Sequence, residues 1–339
     1  MSTYVYPTNI ELMEVAQDKI ANLTMDDPIF GILPVRDVDA AEVEWEQKDN
    51  YVGLQQIRGL NGDPPRVARV GAKKYRQPPG VYGEFLTIDE TEITRRRQLG
   101  SFSGSVNVND LVMECQDQLL SRRIERLRFI GWTLVVTGTF SVAGPNGSVL
   151  HSGTFTLQTS SGSDWSTAAT ATPLADFRAV QLLSRGKSVN FGAQAKAYMN
   201  RTTFNYLIAN TNTADLFGKR TSGLATVLSL NDINAVLAGE DLPMIVIYDE
   251  GYLDDAGNFQ LFIPNDKVVV IGQRPAGQRL GEYQMVRNAN NPGEAPGAYQ
   301  AVVDTAAVSG RPPRNIEVHD GHNGGPVLFF PSAIVVMSV

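Results

Sequence analysis

The sequence predicts a mixed α+β chain: a compact body bearing an arm and a long extension that the body alone cannot cover. Three observations lead there. Charge is sorted along residues 1–100, a helical pattern with two apolar stripes occupies residues 106–131, and helix-like and strand-like pieces alternate from Pro173 before the chain returns to β at its C-terminus. The chain has 339 residues, 42% hydrophobic and 19% charged, with a net charge of −7. That composition is globular rather than disordered. The length suggests about two domains, and the acidic balance argues against a chain-wide nucleic-acid-binding surface. The single cysteine, Cys115, excludes an intramolecular disulfide framework and a cysteine-rich zinc site. No apolar run reaches membrane-spanning length and the N-terminus lacks a signal-peptide pattern, so the expectation is a soluble, intracellularly made protein without membrane partners.

Residues 1–50 carry three basic and eleven acidic side chains, a net of −8. A capping box, Thr8-x-x-Glu11, opens a short amphipathic helix with Leu12, Met13, Ala16, Ile20 and Leu23 at helical spacing. After Pro28 the stretch 31–50 is extended, acidic and too polar for a core of its own, so it reads as an arm lying on something else. Residues 51–100 reverse the sign, with nine basic and five acidic groups. Gly and Pro punctuate residues 51–94 and leave short β-prone pieces at Arg66–Val70 and Glu84–Ile88, the pattern of a two-stranded excursion. An isolated ribbon of that kind is marginal in water. Opposite charges on two under-filled segments point to docking between copies of the chain: Arg58, Arg66, Arg69, Lys73, Lys74 and Arg76 of the extension against Asp37, Asp39, Glu42, Glu44 and Glu46 of an arm.

The strongest helix follows, capped by Asn107 or Asn109. Val108, Val112, Cys115 and Leu119 form one stripe; Leu120, Ile124, Leu127 and Gly131 form a second, rotated one, so the helix should touch different neighbours along its length. On this stripe Cys115 reads as a buried structural thiol. Arg122, Arg123, Arg126 and Arg128 crowd the C-terminal half, where cations suit the helix dipole. They read as a solvated face or, as a lesser alternative, as contacts to DNA. Strands are expected over Thr133–Val142 and Ser148–Thr159, joined by an Asn146-Gly147 turn. Beyond the Ser/Thr/Ala-rich boundary at 159–172, helices are expected at Leu174–Leu183, Arg201–Ala209 and Leu230–Leu237, the last with a Ser229-x-x-Asp232 cap. Strands are expected at Ala195–Met199, Met244–Tyr248, Phe259–Phe262 and Lys267–Ile271, loop over 274–313, and β again at Asn315–Val318 and Val327–Val339.

Enzyme chemistry finds little footing, and no catalytic residue, cofactor or metal is expected. His319-Asp-Gly-His322 offers two imidazoles on a Gly turn, better read as a polar hairpin end than as a metal site. Arg185-Gly-Lys-Ser188 echoes a phosphate loop, but position 181 is Gln where the upstream glycine belongs. Asp254–Asn258 lacks the order of a calcium loop and reads as a hairpin turn.

A set of motifs carries a resemblance. They are Asp27-Pro-Ile-Phe30, Val52-Gly-Leu-Gln-Gln-Ile-Arg-Gly-Leu60 with Pro64-Pro65, Pro79-Gly-Val-Tyr-Gly83, Arg95-Arg-Arg97, Ser163-Asp-Trp-Ser166, Ile263-Pro-Asn-Asp-Lys-Val-Val-Val-Ile-Gly272 and the terminal Val327–Val339 stretch. In this order and spacing, over nearly the whole chain, they resemble the lambda-like major capsid protein E family of tailed phages. The resemblance implies the Hong Kong 97-type capsid fold: an N-terminal arm at 1–50, an extended loop at 51–95, a peripheral domain with a spine helix at 96–170, an axial domain at 171–309 and a C-terminal β segment of the peripheral domain at 310–339. It implies a non-enzymatic major capsid protein that self-assembles through hexamers and pentamers into an icosahedral head enclosing double-stranded DNA. The implied partners are a scaffolding protein, a portal, a decoration protein and packaged DNA by weak, non-specific contact. Assembly is expected in the host cytoplasm, with the product in the virion head. An encapsulin-like compartment, a ring-forming tail component and a histidine-dependent hydrolase are the alternatives.

Overall fold

In the computed structural model the described residues are 27–48, 54–60, 62–66, 72–95, 107–144, 146–210, 229–254, 256–274, 278–305 and 313–339. The helix expected near residues 8–23, residues 67–70 of the expected 66–70 strand, and Arg69, Arg96 and Arg97 lie outside them. In chain order the elements are α1 (Pro28–Ile32), β1 (Val35–Asp37), β2 (Val43–Lys48), β3 (Ala72–Gln77), β4 (Gly80–Ile88), α2 (Glu90–Arg95) and the long helix α3 (Val108–Thr137). Then come β5 (Thr139–Ala143), β6 (Val149–Thr154), β7 (Gln158–Ser161), α4 (Pro173–Leu182), β8 (Lys196–Met199), α5 (Arg201–Ala209), α6 (Leu230–Gly239) and β9 (Met244–Ile247). The chain ends with β10 (Gly251–Leu253), β11 (Phe259–Leu261), β12 (Lys267–Ile271), β13 (Gly281–Met285), β14 (Ala298–Asp304), β15 (Ile316–Leu328) and β16 (Ile334–Ser338).

Two five-stranded sheets organise the body. The first is ordered β1-β13-β15-β14, with β4 on the other side of β15. β15 reaches all three partners because it is long: its first half pairs with β14 and β4 on opposite edges, and its second half with β13. The second sheet is ordered β7-β16-β12-β8-β9. Its strand β12 is a continuous apolar run, as expected for a strand covered on both faces.

Helix α3 lies across the first sheet, and its two stripes do touch different neighbours. Val108, Leu111, Val112 and Leu119 pack with Ile88 of β4 and with Ile316 and Val318 of β15, with Cys115 partly buried beside them. Leu120, Ile124, Leu127 and Ile130 join the main core with Ile29, Phe30 and Leu33 from the α1 segment. Gly131 allows this second contact: a Cβ there would sit 2.7 Å from Ile29 Cγ1. The helix starts at the expected Asn107 cap but continues to Thr137, so the strand expected from Thr133 begins only at Thr139. Burial of Trp132, Leu134 and Val135 overrides the β preference of this β-branched stretch. The four arginines are therefore mid-helix, and the helix-dipole argument for them fails.

Three further expectations change. The segment 274–313 is not mostly loop, since it holds β13 and β14. The His319–His322 stretch is no hairpin end; it runs inside β15, where a Cβ on Gly321 would come within 2.4 Å of the Tyr82 carbonyl. The ribbon strands also pair differently: β3 pairs antiparallel with β2 of the arm, whereas β4 joins β15. β13 and β14, from within 171–309, share the first sheet with β4 and β15, and C-terminal β16 enters the second sheet. The Asn146-Gly147 hairpin and the Ser229–Asp232 capping box form as read.

Gly131→Val should overpack the α1–α3 contact by about 1–3 kcal/mol, and Ile29→Ala in the same chain should recover part of the loss. Thermal melts of the single and double variants check this; an unshifted single variant would speak against the contact.

Candidate assembly surface

The ribbon is built by register. Glu44 lies opposite Arg76 and Glu46 opposite Lys74. The resulting ion pairs are 3.0 Å for Arg76–Glu44 and 3.4 Å for Lys74–Glu46. Trp45 stacks on Tyr75 at 5.3 Å between ring centres and leans on Phe155 of the body. Part of the charge complementarity read from the sequence is thus met within one chain. Exposed pairs of this kind contribute about 0–1 kcal/mol each, so they set register more than stability. Asp39 pairs with Arg287 at 2.5 Å, and that hydrogen bond holds its carboxyl below the usual range. Asp37 lies at the first sheet beside Met285; burial raises its pKa, and the charge of Arg123 opposes the rise. Glu42, Arg58, Arg66 and Lys73 are exposed. Arg58 Nη1 donates to the Gly62 carbonyl at 3.0 Å.

Between the ribbon strands the chain carries Leu54, Ile57 and Leu60, which are 94%, 97% and 99% exposed. Three large aliphatic side chains at intervals of three residues, flanked by cations, form a surface that no described residue covers. These residues lie within the Val52–Leu60 motif, but aliphatic side chains in a sequence do not by themselves show that they are uncovered.

The base of the ribbon is held firmly. Tyr82 of β4 stacks on His322 at 4.9 Å between ring centres, and its hydroxyl lies 2.6 Å from His151 Nδ1. Tyr283 hydroxyl lies 3.1 Å from His322 Nε2. His151 Nε2 and His322 Nδ1 are buried without a partner. Burial lowers the pKa of His151 to about 4 and of His322 to about 3. His319 and His322, three apart on one strand, project to opposite faces; His319 stacks instead on Phe85. Among the described residues no group of three or more His, Cys, Asp or Glu side chains could hold a metal.

Of the α3 arginines, Arg122 and Arg126 are exposed, as a solvated face requires, whereas Arg123 is buried and Arg128 half-buried. Arg122 pairs with Glu84 of β4, and Arg128 with Asp27, Glu125 and Glu250. Burial opposes the charge on Arg128, but its hydrogen bonds to Tyr248, Glu125 and Asp27 outweigh that and raise its pKa. Arg126 lies 5.7 Å over the ring of Phe129. Arg123 and Asp320 are 4% and 5% exposed and meet at 2.8 Å. Burial lowers the pKa of Arg123 and raises that of Asp320, each against the pull of the other. A pair of this kind adds little net stability, yet removing one member costs about 3–5 kcal/mol because the other is left buried and unpaired. Gln300 also donates to the Asp320 carboxylate, so the helix is locked to both β15 and β14.

The family model for phage major capsid protein E matches residues 13–281. The chain belongs to that family. It is a phage major capsid protein, a structural subunit of the head, and its fold is of the Hong Kong 97 type. No curated protein matches the chain closely enough to count as a relative. Among solved structures, a prophage protein of Escherichia coli CFT073 assigned as a capsid protein is similar at 14% identity and TM-score 0.61, covering 99% of this chain and 100% of that one. A phage-related protein from Bordetella bronchiseptica RB50 is similar at 8% identity and TM-score 0.53, covering 95% of this chain and 96% of the other. At these identities the likeness concerns the fold alone.

In this capsid protein the neutral histidines under the ribbon set a pH limit. An unfolded histidine titrates near 6.5, so between that value and the lowered native values the unfolded chain binds protons that the native chain refuses. Stability is then full above about pH 6.5 and falls as pH drops toward 4. Asp320, with its raised pKa, works in the opposite direction, and the lowered carboxylates Asp39 and Glu84 lose stability only at lower pH. His151→Gln with His322→Gln should flatten the dependence of the urea midpoint on pH between 6.5 and 4.5. An unchanged slope would refute the assignment.

Proposed function

We propose that this capsid protein assembles through hexamers and pentamers into an icosahedral shell around double-stranded DNA, each copy laying its ribbon tip on a neighbour. The observation that carries this reading is the exposure of Leu54, Ile57 and Leu60 on a ribbon whose base is fixed in the core. Burying the three is worth roughly 5–9 kcal/mol per copy before ordering costs, and a closed shell multiplies such modest contacts. The charges that cross between copies are Arg58, Arg66, Arg69 and Lys73 on the ribbon and Glu42 with the acidic residues before Asp27 on the arm; Lys74, Arg76, Glu44 and Glu46 shape the ribbon within its own chain. The body divides into a peripheral part, built on α3 and the first sheet, and an axial part, built on the second sheet. Scaffolding, portal and decoration proteins are the partners of such a shell, which would form in the host cytoplasm.

Electron microscopy of the purified protein tests the reading. Wild-type protein should form closed shells, whereas Leu54→Ser/Ile57→Ser/Leu60→Ser should remain dispersed with an unchanged circular-dichroism spectrum. Shells from the triple variant would sink the proposal for the ribbon. Wild-type particles filled with enzyme cargo instead of DNA would favour the compartment reading.

A further inference from the structure

Apart from the α3 helix, where Arg122, Arg123 and Arg128 are ion-paired, another cationic cluster stands out. It lies at the end of the second sheet where β12 stops and β16 begins. The bridge between Asn190 and Gln273 joins the segment that carries Arg185 and Lys187 to the strand end that carries Arg274. Lys187 Nζ donates to Gln158 Oε1, Gln158 Nε2 donates to the Ser332 carbonyl, and the Arg274 guanidinium lies 5.1 Å over the ring of Phe330. One corner therefore gathers cations from two loops.

Among the described residues of the corner no carboxylate balances them. The four segments that meet there, 158–161, 183–190, 271–274 and 329–333, contain no aspartate or glutamate, in a chain of net charge −7. Among the described residues none of the three cations forms an ion pair. Arg274 Nη1 is buried without a partner, and burial lowers the pKa of this guanidinium to about 10. An under-satisfied, partly buried guanidinium beside two exposed cations is the electrostatic arrangement of an anion site awaiting its ligand. Three positive charges exceed what one carboxylate would neutralise and suit phosphate, with its several acceptor oxygens.

We propose that Arg185, Lys187 and Arg274 form a phosphate-binding corner whose ligand is the backbone of duplex DNA. The choice of DNA as the phosphate source rests on the shell reading above. The contact is to phosphate only and is independent of base sequence.

Fluorescence anisotropy of a labelled duplex with full-length protein, titrated with salt, tests this. Arg185→Gln/Lys187→Gln/Arg274→Gln should weaken binding at least about tenfold at low salt and reduce the slope of log K against log salt by about 2–3. Arg185→Gln/Lys187→Gln, which alters only exposed positions, should show about two-thirds of that slope change and serves if the triple variant misfolds. A charge-matched control, Arg36→Gln/Arg178→Gln/Arg201→Gln, should stay within about twofold of wild type. Equal weakening in the control, or none in the corner variants, overturns the proposal. So does a site that takes inorganic phosphate, read as a rise in melting temperature lost in the variant, while duplex binding is unaffected. Shell formation by the variants is read separately: it should persist, and its loss would make the corner a subunit contact, overturning the DNA assignment while leaving the shell reading intact.

Discussion

A ribbon fixed at its base and uncovered near its tip is the constraint on which the rest of this structure depends. The base is inside the core: β4 pairs along β15, Tyr82 is wedged against two neutral histidines, and Arg122 and Arg123 tie α3 to the strands beneath it. Near the tip, Leu54, Ile57 and Leu60 are almost fully exposed. In the proposed assembly, local order at one end and exposed apolar surface at the other turn a folded subunit into an assembling one. A floppy base would let the ribbon collapse onto its own body, and a polar tip would give a neighbour little to bind.

The charge pattern works at two levels. Within the chain it pairs acidic β2 with basic β3 and sets their register, while Asp39 and Asp27 fasten the arm to the body through Arg287 and Arg128. The described part of the arm is consequently more self-sufficient than its polarity suggested, because Ile29, Phe30 and Leu33 find a seat on α3 beside Gly131. Cations not engaged in this way, on the ribbon and at the corner of the second sheet, are the ones to which the proposals above assign other molecules.

Much of this architecture is legible in the residues, and the parts that are not share a cause. The Ser229–Asp232 cap, the Asn146-Gly147 turn and the two stripes of α3 rest on short-range chemistry, and each appears where it was read. β13, β14 and the middle of β15 were hidden because their glycines, asparagines and prolines read as loop; only the partner strands show that Gly321 is required where backbones and the ring of Tyr299 crowd together. The extra turns of α3 were hidden because Thr133, Val135 and Val136 favour strands until burial decides otherwise. The ion pairs of Arg122, Arg123 and Arg128 join residues far apart in the chain, so spacing alone could not reveal them. The trio Leu54, Ile57 and Leu60 is in plain view in the sequence, but its meaning depends on knowing that none of the described residues covers it.

Hydrogen exchange across residues 54–66, measured on dissociated subunits and on assembled particles of the same protein, tests the central claim most directly. The backbone there should exchange nearly freely in the subunit while β15 is protected, and should slow by on the order of tenfold or more in the particle. Equal protection in both states would contradict the account, since it would mean that the chain covers its own ribbon tip.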